Sequence, residues 1–139
     1  MKRDWDLCRK ILLKIEDDYI DTAIVNLTVE KYSKEEVAYH CNIMYEAGLI
    51  SSFDSKYADN RIYLFHVGGL TWEGHEFIEK IRDESFFEKI KKEIKKNAVP
   101  LCFEGIKIFV TTYLYKVYHL NLRLALSSIK KLGKKIKQH

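Results

Sequence analysis

A chain of 139 residues, 47% hydrophobic and 32% charged, is long enough for one compact domain plus a helical appendage. Six glycines and one proline exclude a linker-rich or low-complexity architecture, and with it a multidomain enzyme or a large Gly-rich nucleotide site. The net charge of +4 hides an asymmetry: residues 1–83 hold 11 Lys+Arg against 16 Asp+Glu, and residues 84–139 hold 13 against 4. The second part is therefore expected to meet an anionic partner, or to attract the first part.

The N-terminus is charged throughout and lacks the apolar run of an export signal. Trp5, Cys8, Ile11, Leu12 and Ile15 recur at three-four spacing and predict a first helix that ends at Asp17-Asp18. Residues 23–29, AIVNLTV, are β-branched and short, and predict a strand. Ser33 and Glu36 form a capping box, in which each side chain satisfies the other residue's backbone N–H. The helix they open turns Val37, Cys41 and Met44 inward, and Gly48 is its left-handed stop. What remains before Ser33 leaves only a turn around Glu30-Lys31-Tyr32 where a helix-turn-helix would place its middle helix. Leu49-Ile50 begins a second strand running into a polar tip, SSFDSKYADN, which turns at Asp59-Asn60. RIYLFHV, residues 61–67, returns as a third strand and stops at Gly68-Gly69.

Thr71 caps the next helix, with Phe77, Ile78 and Ile81 on its buried side. ESFFEKIKKEIKK follows with Phe87, Ile90 and Ile94 on one stripe, its lysines outward, and a Glu88–Lys92 pair one turn apart. Pro100 suits the first turn of a last helix carrying Ile106, Phe109, Val110, Tyr113, Val117 and Leu120, which runs on towards the lysine tail. The apolar stretch 98–126 is broken by Glu104, Lys107, Lys116 and Arg123, so it is too charged for a simple membrane span. This order predicts an α+β fold: a winged-helix domain with a small three-stranded antiparallel sheet over residues 1–83, then C-terminal helices with a basic tail over 84–139. Cys8, Cys41 and Cys102 sit among apolar residues and are expected as buried, reduced thiols of a cytoplasmic protein.

Three blocks carry a family resemblance: MKRDWDLCRKILLKIE, EEVAYHCNIMYEAGLI and LTWEGHEFIEKIRDESFFEKIKK. They resemble the YjcQ-like family of small, often prophage-encoded bacterial proteins, a domain of unknown function. The resemblance spans roughly the first two-thirds of the chain. It implies a winged-helix fold and a bacterial or phage source, assigns no chemistry, and says little about the basic extension beyond about residue 120.

A winged helix suggests DNA binding, and the outward face of residues 34–47 tests the suggestion. That face is Glu35, Tyr39, Asn42, Ile43 and Glu46. Asn42 suits adenine and Tyr39 suits sugar or phosphate, yet Lys34 is the helix's one lysine against Glu35, Glu36 and Glu46. Phosphate attraction dominates affinity, so a negative reading helix works against it. The wing adds Lys56 and Arg61, diluted by Asp54 and Asp59. The stronger basic feature is the tail, with Lys130, Lys131, Lys134, Lys135 and Lys137 beside Ile129, Leu132 and Ile136 at helical spacing. Such a segment suits nucleic-acid backbone, an anionic surface or an acidic groove. The alternative is a solvated last helix whose lysines favour the negative dipole end.

His40, His66, His75 and His119 supply no compact ligand pair on one helix face, and WEGHE lacks the zinc-protease spacing, so no metal site is expected. His40 and His75 are expected at the rim of the core, hydrogen-bonded to neighbours. No nucleophile turn or phosphate loop appears, so the chain is read as a non-enzyme without cofactor or small-molecule substrate. The aromatic load is the remaining signal: Phe109, Tyr113, Tyr115 and Tyr118 cannot all be buried on one face of a helix. The expectation is a phage-type accessory protein that binds proteins, itself included, through residues 101–126, with no membrane partner; the alternative for these aromatics is a two-sided helix sandwiched within one monomer. The other reading is a DNA-binding regulator that uses the wing and the lysine tail.

Overall fold

The computed structural model describes residues 1–137, so Gln138 and His139 of the expected tail lie outside the described residues. Among those described, the chain runs α1 (Trp5–Asp18), β1 (Ile24–Val25), α2 (Lys34–Glu46), β2 (Phe53–Ala58), β3 (Arg61–Val67), α3 (Trp72–Ile81), α4 (Glu84–Lys96) and α5 (Phe103–Lys137). Five helices and one three-stranded antiparallel sheet, ordered β1-β3-β2, make an α+β fold. The chain forms two compact units, Met1–Phe86 and Phe87 onward, divided inside α4 three residues beyond the expected boundary.

The first unit is built around α1, whose Trp5, Leu7, Cys8, Ile11, Leu12 and Ile15 are all buried. Asp4 caps it by accepting the N–H groups of Asp6 and Leu7 at 2.9 and 3.1 Å. The Ser33–Glu36 capping box opens α2 with both reciprocal bonds at 3.1 Å. Val37, Cys41 and Met44 are buried as the spacing requires. Gly48 takes φ +81°, a left-handed conformation that costs glycine nothing, and ends the helix. Tyr32 N–H donates to the Val29 carbonyl at 3.1 Å and closes the turn that leads into α2.

The strands differ from expectation in two places. Only Ile24 and Val25 of residues 23–29 form β1, because Asn26 adopts φ +50° and leaves the extended region. Its N–H donates to the Phe65 carbonyl at 2.8 Å, and its side-chain Oδ1 accepts the Phe65 N–H at 2.9 Å, so a side chain replaces the next rung of the ladder. The second correction concerns the hairpin. Leu49-Ile50 contributes a single bridge, Ile50 to Leu70, while residues 53–58, read as a polar tip, are the strand itself. The true tip is two residues, Asp59 and Asn60, at φ +51° and +63°, the left-handed pair of a tight type I′ turn. A bulge between Lys56 and Tyr57 adjusts the register of β2 on β3.

Thr71 Oγ accepts the Gly74 N–H at 3.0 Å and caps α3, which buries Phe77, Ile78 and Ile81. In α4, Phe87, Ile90 and Ile94 are buried. Glu88 pairs at 2.7 Å with Lys91, one residue earlier than the expected Lys92, and Lys91 also lies over the Phe87 ring, so it does not face outward. Pro100 stands three residues before α5 begins, outside its first turn. The last helix continues through the lysine tail for 35 residues, about 50 Å at 1.5 Å per residue.

Candidate functional site

Apart from Lys34 and Lys56, the side chains singled out by sequence fall on two surfaces, one in each unit. The first is an open groove of about 620 Å³ between α2 and the β2–β3 hairpin. Helical spacing sends Glu35, Tyr39 and Asn42 into it from α2. Strand alternation sends Ser55 and Tyr57 from β2, and Asn60 and Arg61 enter at the turn. Tyr39, Asn42 and Arg61 are thus brought together. Lys56 is not: it alternates to the other face of β2, where it is exposed. Lys34 is committed elsewhere, its Nζ donating to the Tyr63 carbonyl at 2.5 Å. Tyr57 and Asn60 were not anticipated as part of this surface; once the polar tip is recognised as a strand, its odd residues share the face of Phe53.

The electrostatics of the groove are mixed. Glu35 is exposed beside the single guanidinium of Arg61, and Glu46 is exposed at the far end of α2. The charged side chains that line the groove are Glu35 and Arg61, one of each sign.

Behind α2 the chemistry is structural. His40, expected at the core rim, is 1% exposed. Its Nε2 accepts the Asp4 N–H at 2.8 Å and its Nδ1 faces the Glu36 carbonyl at 2.7 Å, so the proton resides on Nδ1. His75 departs the other way: it is exposed, with Nδ1 3.8 Å from Glu16. Glu16 receives two hydrogen bonds from Arg82, at 2.7 and 2.8 Å, which hold its carboxyl below the usual carboxylate range. Burial pushes the thiols of Cys8 and Cys41 up to about 12, which keeps them protonated and poor nucleophiles. Cys102, expected to be buried, is only partly so, its Sγ accepting the Gly105 N–H at 3.4 Å. Among the described residues no cluster of three His, Cys, Asp or Glu side chains is placed to hold a metal ion.

The second surface is α5. Of the expected apolar stripe, Ile106 and Val110 are buried, Phe109 and Val117 are half-buried, and Leu120 is exposed. Lys89 of α4 lies 5.3 Å from the centroid of the Tyr113 ring. Tyr115 and Tyr118 are 69% and 68% exposed, and Tyr115 stacks on His119 at 5.8 Å. Lys130, Lys131, Lys134, Lys135 and Lys137 are all exposed on the last three turns. Among the described residues no helix is long and apolar enough to cross a membrane.

The family described as "Hypothetical protein (DUF2513)" matches residues 2–100, which ends just before α5. A Haemophilus influenzae protein described as "Uncharacterized protein" is 34% identical over 110 residues, covering 77% of this chain and 90% of that protein. No solved structure matches.

Proposed function

The chain belongs to the DUF2513 family, and for this member we propose a protein-interaction and self-association module on a winged-helix scaffold. The order α1, β1, α2, then the β2–β3 hairpin supports the scaffold, with that hairpin as the wing. The three sequence blocks that resemble YjcQ-like proteins support an accessory protein of phage or prophage type, working in the cytoplasm. The reading carries no catalytic residue, cofactor, metal or small-molecule substrate.

One observation carries it: a regular helix exposes Tyr115, Tyr118 and the leucines beyond them to solvent. Exposed aromatic and aliphatic surface on this scale marks a contact with another protein. The acidic face of α2 argues in the same direction, since it repels the ligand a winged helix most often reads. Light scattering on the full chain at a series of concentrations tests the self-association: mass should rise towards a multiple of the chain. A mass fixed at the monomer throughout would remove it.

A second reading, a DNA-binding regulator, draws on the five exposed lysines of the last turns. Duplex binding should then weaken steeply with salt and collapse on deleting residues 127–139.

A further inference from the structure

Residues Tyr115, Tyr118, Leu122, Ala125, Ile129, Leu132 and Ile136 follow one another at spacings of three and four without interruption. That is the seam of a coiled coil, sustained for three heptads, with Tyr115, Leu122, Ile129 and Ile136 at one core position and Tyr118, Ala125 and Leu132 at the other. All seven are exposed, the six large ones between 56% and 69%. Basic residues recur every seventh position on the outer side of the helix, at Lys116, Arg123, Lys130 and Lys137, and none lies within the seam.

We infer that this seam docks a second copy of the chain, antiparallel, with Tyr115 opposite the partner copy's Leu132 and Leu122 opposite its Ala125. The inference rests on the self-association reading and gives it a face and an orientation.

The occupant follows from area, shape and charge. The six side chains that this register pairs, exposing about 100 Å² apiece, supply roughly 600 Å² a side, at the lower edge of the ~600–1,000 Å² per partner of a stable interface. The antiparallel register sets large against smaller residues in each layer: Tyr115 on Leu132, Tyr118 on Ile129, Leu122 on Ala125. Charge then selects the orientation. No Asp or Glu follows Glu104, while eight Lys and Arg do, five of them from Lys130 on. A parallel pair would bring two lysine-rich ends together, whereas an antiparallel pair separates them and aligns the helix dipoles favourably. A lipid surface, the other occupant that an apolar and basic helix suits, is an outcome of the test below.

The test uses the full chain carrying Cys102→Ser, in which the remaining thiols, Cys8 and Cys41, are buried. Tyr115→Cys and Leu132→Cys proteins are oxidised each alone and, in a parallel sample, after being mixed in reduced form. In the antiparallel pair identical positions stand about 25 Å apart along the helices, so each alone should give no covalent dimer and the mixture should give one. Ile129→Glu, in the otherwise unaltered chain, should weaken self-association at least about tenfold while far-UV circular dichroism retains the helices.

Covalent dimers from each protein alone would mean a parallel pair. Association that ignores Ile129→Glu but is lost on Phe109→Ala would put the contact on the other face. Either result overturns this inference and leaves self-association standing. A strict monomer overturns both, and a monomer that co-floats with vesicles containing anionic phospholipid makes the seam a lipid face instead.

Discussion

His40 Nε2 accepts the backbone N–H of Asp4 at 2.8 Å, tying the start of α1 to the interior of α2. The joint is reinforced from a third direction, where the Tyr32 hydroxyl donates to Asp4 Oδ2 at 3.2 Å. One residue thus caps α1 with its carboxylate, gives its N–H to α2 and accepts the Tyr32 hydroxyl from the turn before α2. His40→Leu keeps the volume and removes both ring nitrogens, leaving the Asp4 N–H and the Glu36 carbonyl without this partner. The expected loss is about 2 kcal/mol, the cost of a part-buried polar group left unpaired, read as a lower urea midpoint at unchanged slope.

Two glycines in helices should respond to alanine with opposite signs. A Cβ at Gly74 would stand 2.1 Å from the Leu49 carbonyl oxygen, a backbone atom that also accepts the Thr71 N–H at 3.0 Å. Gly74→Ala must therefore push α3 away from the segment after Gly48, and a loss of about 2–3 kcal/mol is expected. A Cβ at Gly133 meets nothing within 4 Å. Gly133→Ala should raise the helicity of the last turns and favour them by about 1 kcal/mol. Thermal unfolding of the first and circular dichroism of the second read the two effects.

Much of this architecture was legible in the chain because local chemistry and burial agree there. Ser33 and Glu36, Thr71, Gly48 and the apolar stripe of α1 each report a physical requirement of one turn of backbone. The strands were harder to read for the same reason inverted. Asn26 competes with the ladder through its own side chain, which no count of β-branched residues registers. The polar run 53–58 pairs as a strand because β3 supplies its backbone partners from Val67 to Arg61, while only Phe53 and Ser55 of the run are half-buried. The two surfaces divide likewise. The outward face of α2 followed from helical spacing, whereas the groove required the hairpin to be placed against it. On α5 the aromatics were evident, but the longer seam to Ile136 became significant only once the helix proved continuous to Lys137.

The Glu16–Arg82 pair gives the first unit an acid-sensitive contact. Hydrogen bonding from Arg82 lowers the Glu16 pKa in the folded state below its ordinary value of 4.5. The carboxylate therefore contributes its stability in full above that value. The contribution is lost as pH falls through the lower, folded-state pKa. Glu16→Gln should flatten this part of the profile, so wild type and variant should differ above pH 4.5 and converge below it. Because the pair is partly exposed, added salt should shrink the difference. Chemical denaturation across that range, at two salt concentrations, makes the measurement.

The sign of the α2 surface can be reversed without touching the core. Residues 34–46 carry Lys34 against Glu35, Glu36 and Glu46, a balance of −2, and both Glu35 and Glu46 are exposed. Replacing both with lysine brings the balance to +2 and opens two further phosphate contacts, at a stability cost of about 0.5 kcal/mol for the lost first-turn acid. If charge alone keeps this face from nucleic acid, the double variant should bind duplex DNA at low salt at least about tenfold more tightly than wild type. The logarithm of its binding constant should also fall with log salt more steeply, by roughly one for each new contact. Unchanged binding would mean that the shape of the groove, and not its sign, excludes the duplex. Fluorescence anisotropy over a salt series distinguishes the two, since shape leaves the slope where it was and charge moves it.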